Sequence, residues 1–91
     1  IGATLTPYKG ANYYSEAGEA QRQAYNQWIR TSGEFDGVID FAKPLSDATN
    51  SLTLDVRYND RDKLHPNDAG YEAMGAFIDP AVISQAPTKR P

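Results

Sequence analysis

Residues 15–30 have the sequence SEAGEAQRQAYNQWIR, which is the clearest secondary-structure signal in the chain. Ser15 is a good N-cap, because its hydroxyl can accept a hydrogen bond from a free backbone N–H of the first turn. Acidic residues follow it and Arg30 comes last, as the helix dipole favours. Gly33 is a plausible C-terminal stop. The spacing predicts a helix with one apolar face, formed by Ala17, Ala20, Ala24, Tyr25, Trp28 and Ile29.

A strand is predicted on each side of this helix. Residues 1–6 form a short stretch ended by Pro7, and residues 35–41 form an apolar run between Gly37 and Pro44. Such short, bounded runs are typical of buried strands. Strand, helix and strand in this order favour two parallel strands joined by a crossover helix.

The remainder of the chain predicts a long loop and a second helix. Residues 43–65 show no persuasive period beyond an alternation of apolar residues at 52, 54 and 56, and irregular segments of this length are often functional. Residues 66–78 predict a helix with Pro66 in its first turn, capped by Asn67 or Asp68. Pro80 should end this helix, and its predicted apolar face comprises Ala69, Ala73, Met74, Phe77 and Ile78.

The domain organisation that follows is α/β, with residues 1–80 as the folded part and residues 81–91 as a tail. Two parallel strands are too few for a complete parallel sheet, whose faces are normally both covered. We therefore expect the chain, which opens with Ile1 rather than Met, to be the end of a larger α/β domain. We expect it to pair either with the missing part or with another copy of itself.

Composition excludes several classes of function. The 91 residues carry a net charge of −3 and no basic cluster, so nucleic-acid binding has no electrostatic support. No apolar run approaches the ~20 residues that span a bilayer, and no signal peptide is predicted. The absence of cysteine excludes a disulfide framework, a thiolate zinc site and a cysteine nucleophile.

The single histidine, His65, follows Asp62 by three residues just before the second predicted helix. A carboxylate at this spacing can turn toward the imidazole, fix its tautomer and leave Nε2 free as a base. Spacing alone leaves a plain surface or capping histidine open. A metal cluster of Asp60, Asp62, His65 and Asp68 is a third interpretation, disfavoured by its single imidazole and irregular spacing.

The wider string Asp62-x-x-His65-Pro66-Asn67-Asp68-x-Gly70-Tyr71 resembles the C-terminal block of the SGNH (GDSL-type) ester hydrolase superfamily. The resemblance extends upstream. Residues 4–8 look like the family's penultimate core strand, residues 22–30 like the helix that follows, and residues 35–41 like its last strand.

The resemblance implies a flavodoxin-like three-layer α/β/α sandwich, of which this chain is the C-terminal part. His65 would be the general base of a serine ester hydrolase, and Asp62 would orient it. The substrate would be an ester, often an acylated carbohydrate, and no cofactor or metal is expected. Many relatives are secreted, which makes an extracellular location the expectation. Tyr58 lies close in sequence to the pair and is a candidate substrate contact.

The nucleophile that the resemblance calls for is absent from this sequence. None of the five serines follows Gly-Asp, and the glycine and asparagine of the oxyanion hole would lie in earlier blocks. Two functions therefore stay open. The chain is one segment of a hydrolase whose serine lies on another chain, or it is an inactive α/β fragment that self-associates.

Overall fold

The computed structural model describes residues 1–84 and has an α/β fold. Its elements are β1 (Gly2–Ala3), α1 (Glu16–Thr31), β2 (Val38–Ile39), α2 (Ala42–Leu45), α3 (Asp68–Phe77) and α4 (Pro80–Ser84). The two strands pair in parallel, with Gly2 opposite Val38 and Ala3 opposite Ile39. The predicted strand–helix–strand unit is thus confirmed. None of the helices among residues 1–84 is long and apolar enough to cross a membrane.

Both strands are shorter than predicted, and the main chain of Leu5 gives the reason. The ladder continues as far as Thr4, whose N–H donates to the carbonyl of Ile39 at 3.1 Å. At Leu5 the partner changes, because the Asn26 side chain accepts from the Leu5 N–H at 2.7 Å and donates to its carbonyl at 2.9 Å. A side-chain amide thus replaces the next strand residue and ends the pairing.

The limits of α1 agree with the sequence analysis. The Ser15 hydroxyl accepts from the N–H of Gly18 at 2.9 Å, which satisfies one of the free donors of the first turn. At the other end Ser32 donates to the carbonyl of Trp28, and Gly33 follows with φ +73°. This left-handed conformation suits glycine and turns the chain away from the helix axis.

The buried face of α1 differs from the predicted one. The alanines at 17, 20 and 24 are exposed, and Tyr25 and Trp28 are 43% and 47% exposed. The residues that α1 buries are Glu19, Arg22, Asn26 and Ile29. Of the predicted apolar face only Ile29 is buried, because polar side chains bonded to the backbone of Leu5 determine which side of the helix meets β1.

The buried polar stripe of α1 is fully paired. Arg22 forms a two-point ion pair with Glu19 at 2.9 Å for each contact, and it also donates to the carbonyl of Leu5 at 3.1 Å. Gln23 donates to the second carboxylate oxygen of Glu19 at 2.7 Å. Burial of charge is tolerated where every donor and acceptor finds a partner, as it does here.

Asp40, which directly follows β2, is a structural hydrogen-bonding acid. It accepts from the Thr4 hydroxyl at 2.7 Å and from Arg30 at 2.8 and 3.0 Å. The hydrogen bonds from Arg30 hold the pKa of Asp40 below its ordinary value, with a smaller contribution from Thr4. Asp40 thereby links both strands to the end of α1.

The segment after β2 contains structure that the sequence did not predict. The short helix α2 packs Ala42 and Leu45 into the core, and Ser46 pairs with Leu54 in an isolated bridge. Of the alternating apolar residues at 52, 54 and 56, Leu54 is buried and Val56 is exposed. The Leu54 bridge shows an extended crossing of the loop rather than a strand of the sheet.

The second predicted helix corresponds to α3, which begins two residues later than expected. Asn67 is its N-cap, so Pro66 precedes the helix instead of lying in its first turn. The predicted apolar face is only partly covered, because Ala73, Met74 and Ile78 are half-buried while Ala69 and Phe77 are exposed; the one buried residue of α3 is Gly70. A second short helix, α4, follows at Pro80–Ser84 and contains the start of the predicted tail; residues 85–91 lie outside the described residues.

We predict that Asn26→Ala lowers the free energy of unfolding by about 2 kcal/mol, because it leaves the part-buried N–H of Leu5 without a partner and leaves Arg22 as the one side-chain donor to the Leu5 carbonyl. Gln27→Ala is the matched control, since Gln27 is the next residue of the same helix and is exposed. Urea unfolding of both variants measures the difference. Equal midpoints for the two would show that Asn26 does not anchor α1.

Candidate active site

Asp62 and His65 form a directly bonded pair. The Nδ1 atom of His65 lies 2.6 Å from Oδ2 of Asp62. The other carboxylate oxygen, Oδ1, accepts from the backbone N–H groups of Leu64 and His65, each at 3.0 Å. Both oxygens of Asp62 are therefore engaged by Leu64 and His65, which fixes the carboxylate against the imidazole.

These hydrogen bonds lower the pKa of Asp62 to about 2. The largest contribution comes from the backbone N–H of His65, followed by the His65 side chain and the N–H of Leu64. An ionised carboxylate has no proton to donate, so Nδ1 must carry the hydrogen of this bond. In the neutral ring Nε2 is then unprotonated and can act as a base. The His65 side chain is 62% exposed, which leaves Nε2 accessible.

A tight loop brings the two side chains together. The N–H of Asp60 donates to the carbonyl of His65 at 3.0 Å, and the N–H of Lys63 donates to the carbonyl of Asp60 at 3.0 Å. Lys63 has φ +56°, a left-handed conformation that lysine rarely adopts. We name residues 60–65 the Asp–His loop. The chain turns at Lys63, and this turn places the His65 side chain against Asp62.

Asn67 ties the Asp–His loop to α3. Its side-chain oxygen caps the helix by accepting from the N–H of Gly70 at 2.8 Å, while its Nδ2 donates to the carbonyls of Arg57 and Asn59 at 3.0 and 3.2 Å. Its backbone N–H donates to the carbonyl of Tyr58 at 2.7 Å. The sequence predicted a cap at this position. It gave no signal for the second function, because the carbonyls of residues 57 and 59 are main-chain groups.

Gly70 allows the segment before the loop to lie directly on α3. A Cβ at this position would lie 2.7 Å from the Tyr58 carbonyl oxygen and 2.7 Å from Cβ of Pro66. Neither of these atoms belongs to a flexible side-chain end that could move aside. The glycine is therefore required by the close approach of residues 58 and 66 to the helix.

Tyr58 lies beside this contact, half-buried. The guanidinium of Arg57 lies 4.8 Å from the centre of its ring, and Arg57 is also paired with Asp55 at 2.9 Å. The backbone of Tyr58 holds α3 through Asn67. Its predicted contact with substrate stays a prediction.

Two further features of the site follow from the same geometry. None of the serine hydroxyls among residues 1–84 is hydrogen-bonded to His65; Ser15 caps α1 and Ser46 donates to the carbonyl of Ala42. Within this part of the chain, no group of three or more histidine, aspartate or glutamate side chains is arranged to hold a metal ion.

We predict that His65→Ala raises the pKa of Asp62 from about 2 but leaves it below its ordinary value of 3.8, because the side-chain donor is lost and the two backbone donors remain. The ionised form of Asp62 stabilises the loop above its unfolded-state pKa, and this contribution is lost as the pH falls through about 2. Carboxyl ¹³C chemical shifts followed against pH measure the change. Asp47, whose pKa is lowered by Thr49, is the internal control and should titrate unchanged.

A second prediction concerns the contact between Gly70 of α3 and the segment before the Asp–His loop. Gly70→Ala should lower the free energy of unfolding by roughly 1–3 kcal/mol, because the new methyl group overlaps the Tyr58 carbonyl. Gly75→Ala in the same helix meets nothing within 4 Å and should raise the stability by about 0.5–1 kcal/mol. Thermal unfolding of both variants checks this, and a neutral Gly70→Ala would contradict the proposed close contact.

Comparison with known proteins agrees with the resemblance read from the sequence. Residues 1–73 match the GDSL-like lipase/acylhydrolase family, and the matched range covers β1, α1, β2 and α2 together with the first turns of α3. No curated protein matches the chain. Since the match extends over most of the 91 residues, this chain belongs to the GDSL-like lipase/acylhydrolase family.

Proposed function

We propose that this chain is the C-terminal segment of a serine ester hydrolase and supplies its general base, His65, and the orienting carboxylate, Asp62. The 2.6 Å contact between Nδ1 and Oδ2 is the observation that carries the proposal. An acid-bound Nδ1 with an accessible Nε2 is the arrangement that a nucleophilic serine requires. The family match over residues 1–73, a range that contains both positions, gives independent support.

In the proposed reaction, Nε2 of His65 removes the proton of a serine hydroxyl as the serine oxygen attacks the ester carbonyl carbon. Asp62 stabilises the imidazolium that forms without taking its proton. Nε2 then gives the proton to the leaving alcohol, which leaves an acyl-serine. Water, activated by the same base, releases the acid and restores the serine. The ester, in this proposal, is an acyl group carried on a carbohydrate or a similar alcohol.

The serine and the oxyanion hole belong, in this proposal, to a second segment that covers the exposed face of α1. Tyr25 and Trp28 are half-exposed on this helix, and Leu5 beside them is 51% exposed. Trp28 contacts Phe35 edge-on with ring centres 5.4 Å apart, so the aromatic surface continues beyond the helix. A groove of about 430 Å³ lies along it, with Tyr8 and Leu64 in its lining.

This apolar surface is what a two-stranded parallel sheet leaves uncovered. Parallel sheets occur with both faces packed, and burial of such aromatic side chains supplies much of their stability. Completion by further strands and helices would give the three-layer α/β/α sandwich expected for this family. The second segment is either the N-terminal part of the same hydrolase on another chain or, if the chain is an inactive fragment, another copy of itself.

Native mass spectrometry of the protein as prepared distinguishes these two occupants. A second, larger polypeptide bound one to one supports the hydrolase proposal. A closed homo-oligomer of 10 kDa chains would instead support the self-associating fragment. A cooperatively unfolding monomer would contradict both, because it would show that the apolar surface needs no partner.

We predict that the chain alone does not hydrolyse a chromogenic acetyl ester and that activity requires the segment carrying the serine. In the active assembly, His65→Ala should lower kcat by roughly 10⁵-fold and Asp62→Asn by roughly 10³- to 10⁴-fold, since the base and its orienting acid act as a unit. Asp60→Asn is the matched control. Its carboxylate accepts from the N–H of Arg61 and forms no bond to His65, so activity should be retained.

The contrary result is equally clear. Hydrolysis by the isolated chain that disappears in His65→Ala would show that the nucleophile lies among the residues present. Full activity of the assembly with His65→Ala would remove His65 from the mechanism.

A further inference from the structure

Three loops, one of them the Asp–His loop, line a polar groove of about 370 Å³. They are the loop after β1, the loop after α2 and the Asp–His loop itself. The groove lies away from the apolar face of α1, and none of the residues that line it belongs to that helix. Its lining includes Lys9, Gly10, Asp47, Asn50, Asn59 and Lys63. We name it the Lys9–Lys63 groove.

Both cations that line this groove lack an acidic partner among residues 1–84. Within residues 1–84 neither Lys9 nor Lys63 forms an ion pair, and the Lys9 ammonium faces only the Tyr14 ring, 6.0 Å from its centre. Asp47 is the one acid of the lining, and its Oδ1 accepts from the N–H and the hydroxyl of Thr49 at 2.8 Å each. The lining thus has an excess of positive charge in a chain whose net charge is −3.

The two lysines are held near each other by the backbone. The N–H of Lys9 donates to the carbonyl of Leu52 at 2.9 Å, which joins the first two loops. The aliphatic part of Lys63 lies over Gly10, where an added Cβ would be 2.9 Å from Cδ of Lys63. Gly10 and Lys63 both have positive φ, +101° and +56°. An unfavourable conformation at a lysine, maintained by the surrounding loops, is a recognised sign of a functional position.

Neutral hydrogen-bond donors complete the lining. Asn50 uses its side-chain oxygen to accept from the N–H of Leu52, and its Nδ2 forms no hydrogen bond within the described residues. The side chain of Asn59 likewise forms none in this part of the chain. Two ammonium groups and two amide N–H₂ groups therefore line one groove with free donors, a set that suits the oxygens of an anion.

We propose that the Lys9–Lys63 groove binds an anionic group, a carboxylate or a phosphate, carried by the substrate. Lys63 lies within the loop that holds Asp62 and His65, so an anion bound here is one loop turn from the reacting ester. Only the identification of the ligand as substrate rests on the proposed hydrolase function. The binding of an anion is tested independently of it.

The test is an NMR titration of the ¹⁵N-labelled chain, in the assembly in which it is prepared, with acetate, with inorganic phosphate and with acetamide. The amide signals of Lys9, Gly10 and Lys63 should shift saturably with an anion and not with neutral acetamide. The anion with the lower Kd, acetate or phosphate, shows whether a carboxylate or a phosphate is the preferred group. Added sodium chloride should weaken the binding, because both cations are exposed.

Lys9→Gln and Lys63→Gln should each weaken anion binding by about three- to fivefold, the value of one exposed ion pair. Lys9→Gln leaves the strained residue in place and so separates loss of charge from loss of the loop conformation. Arg61→Gln is the matched control, since Arg61 belongs to the same loop, has no ion pair within residues 1–84 and does not line the groove. No saturable shift with either anion, or an equal effect of Arg61→Gln, would overturn the proposal.

Kinetics then connect the groove to the reaction. In the active assembly, Lys63→Gln should raise the KM of an anionic ester relative to that of a matched neutral ester, again by about three- to fivefold. Anion binding without any hydrolysis would refute the hydrolase function and support the proposal that the groove binds an anion. Hydrolysis with no preference for the anionic ester, together with no anion binding, would refute the anion-binding proposal and support the hydrolase function.

Discussion

The main chain of Leu5 is the point on which the rest of this structure depends. It lies where β1 ends, and its N–H and carbonyl are both satisfied by the side chain of Asn26 rather than by a strand. Arg22 reaches the same carbonyl at 3.1 Å while paired with Glu19. Helix α1 is therefore fixed to the sheet through hydrogen bonds, and these bonds decide its rotation. Most apolar residues of the helix are left exposed as a result, and Tyr25 and Trp28 give the chain an aromatic surface.

The Asp–His pair depends on a separate and more local set of contacts. Residues 55–70 supply the hydrogen bonds that orient Asp62, His65 and the start of α3. None of them requires the buried stripe of α1. The chain thus combines an imidazole that is already oriented with an apolar surface that is exposed. Both properties agree with the proposal that it is one segment of a hydrolase.

The sequence predicted what local patterns determine. The Ser15 cap, the helix after it, the parallel pairing and the α/β class follow from spacing and from residues whose effect lies within a few positions. The side of α1 that is buried could not be predicted this way, because the decisive partners of Asn26 are main-chain atoms 21 residues earlier. The early end of β1 was missed for the same reason. Helix α2 was missed because four residues that include Pro44 are too few to establish a period. Of the candidate site, Asp62 and His65 were predicted from their spacing and their motif, whereas the bonds from Asn67 to the carbonyls of residues 57 and 59 could not be, because main-chain acceptors leave no sequence signal.

The two-point attachment of Asp62 has a consequence for how the proposed assembly would become active. Since this carboxylate is held by backbone donors at 3.0 Å as well as by the imidazole, His65 is oriented before any serine approaches. The imidazole of His65 then loses its rotational freedom when the loop folds and not when the two segments associate. Docking would be a rigid-body association that places the serine next to an imidazole that is already oriented. In the proposed assembly, association alone would then start the reaction, and each segment would be inactive without the other.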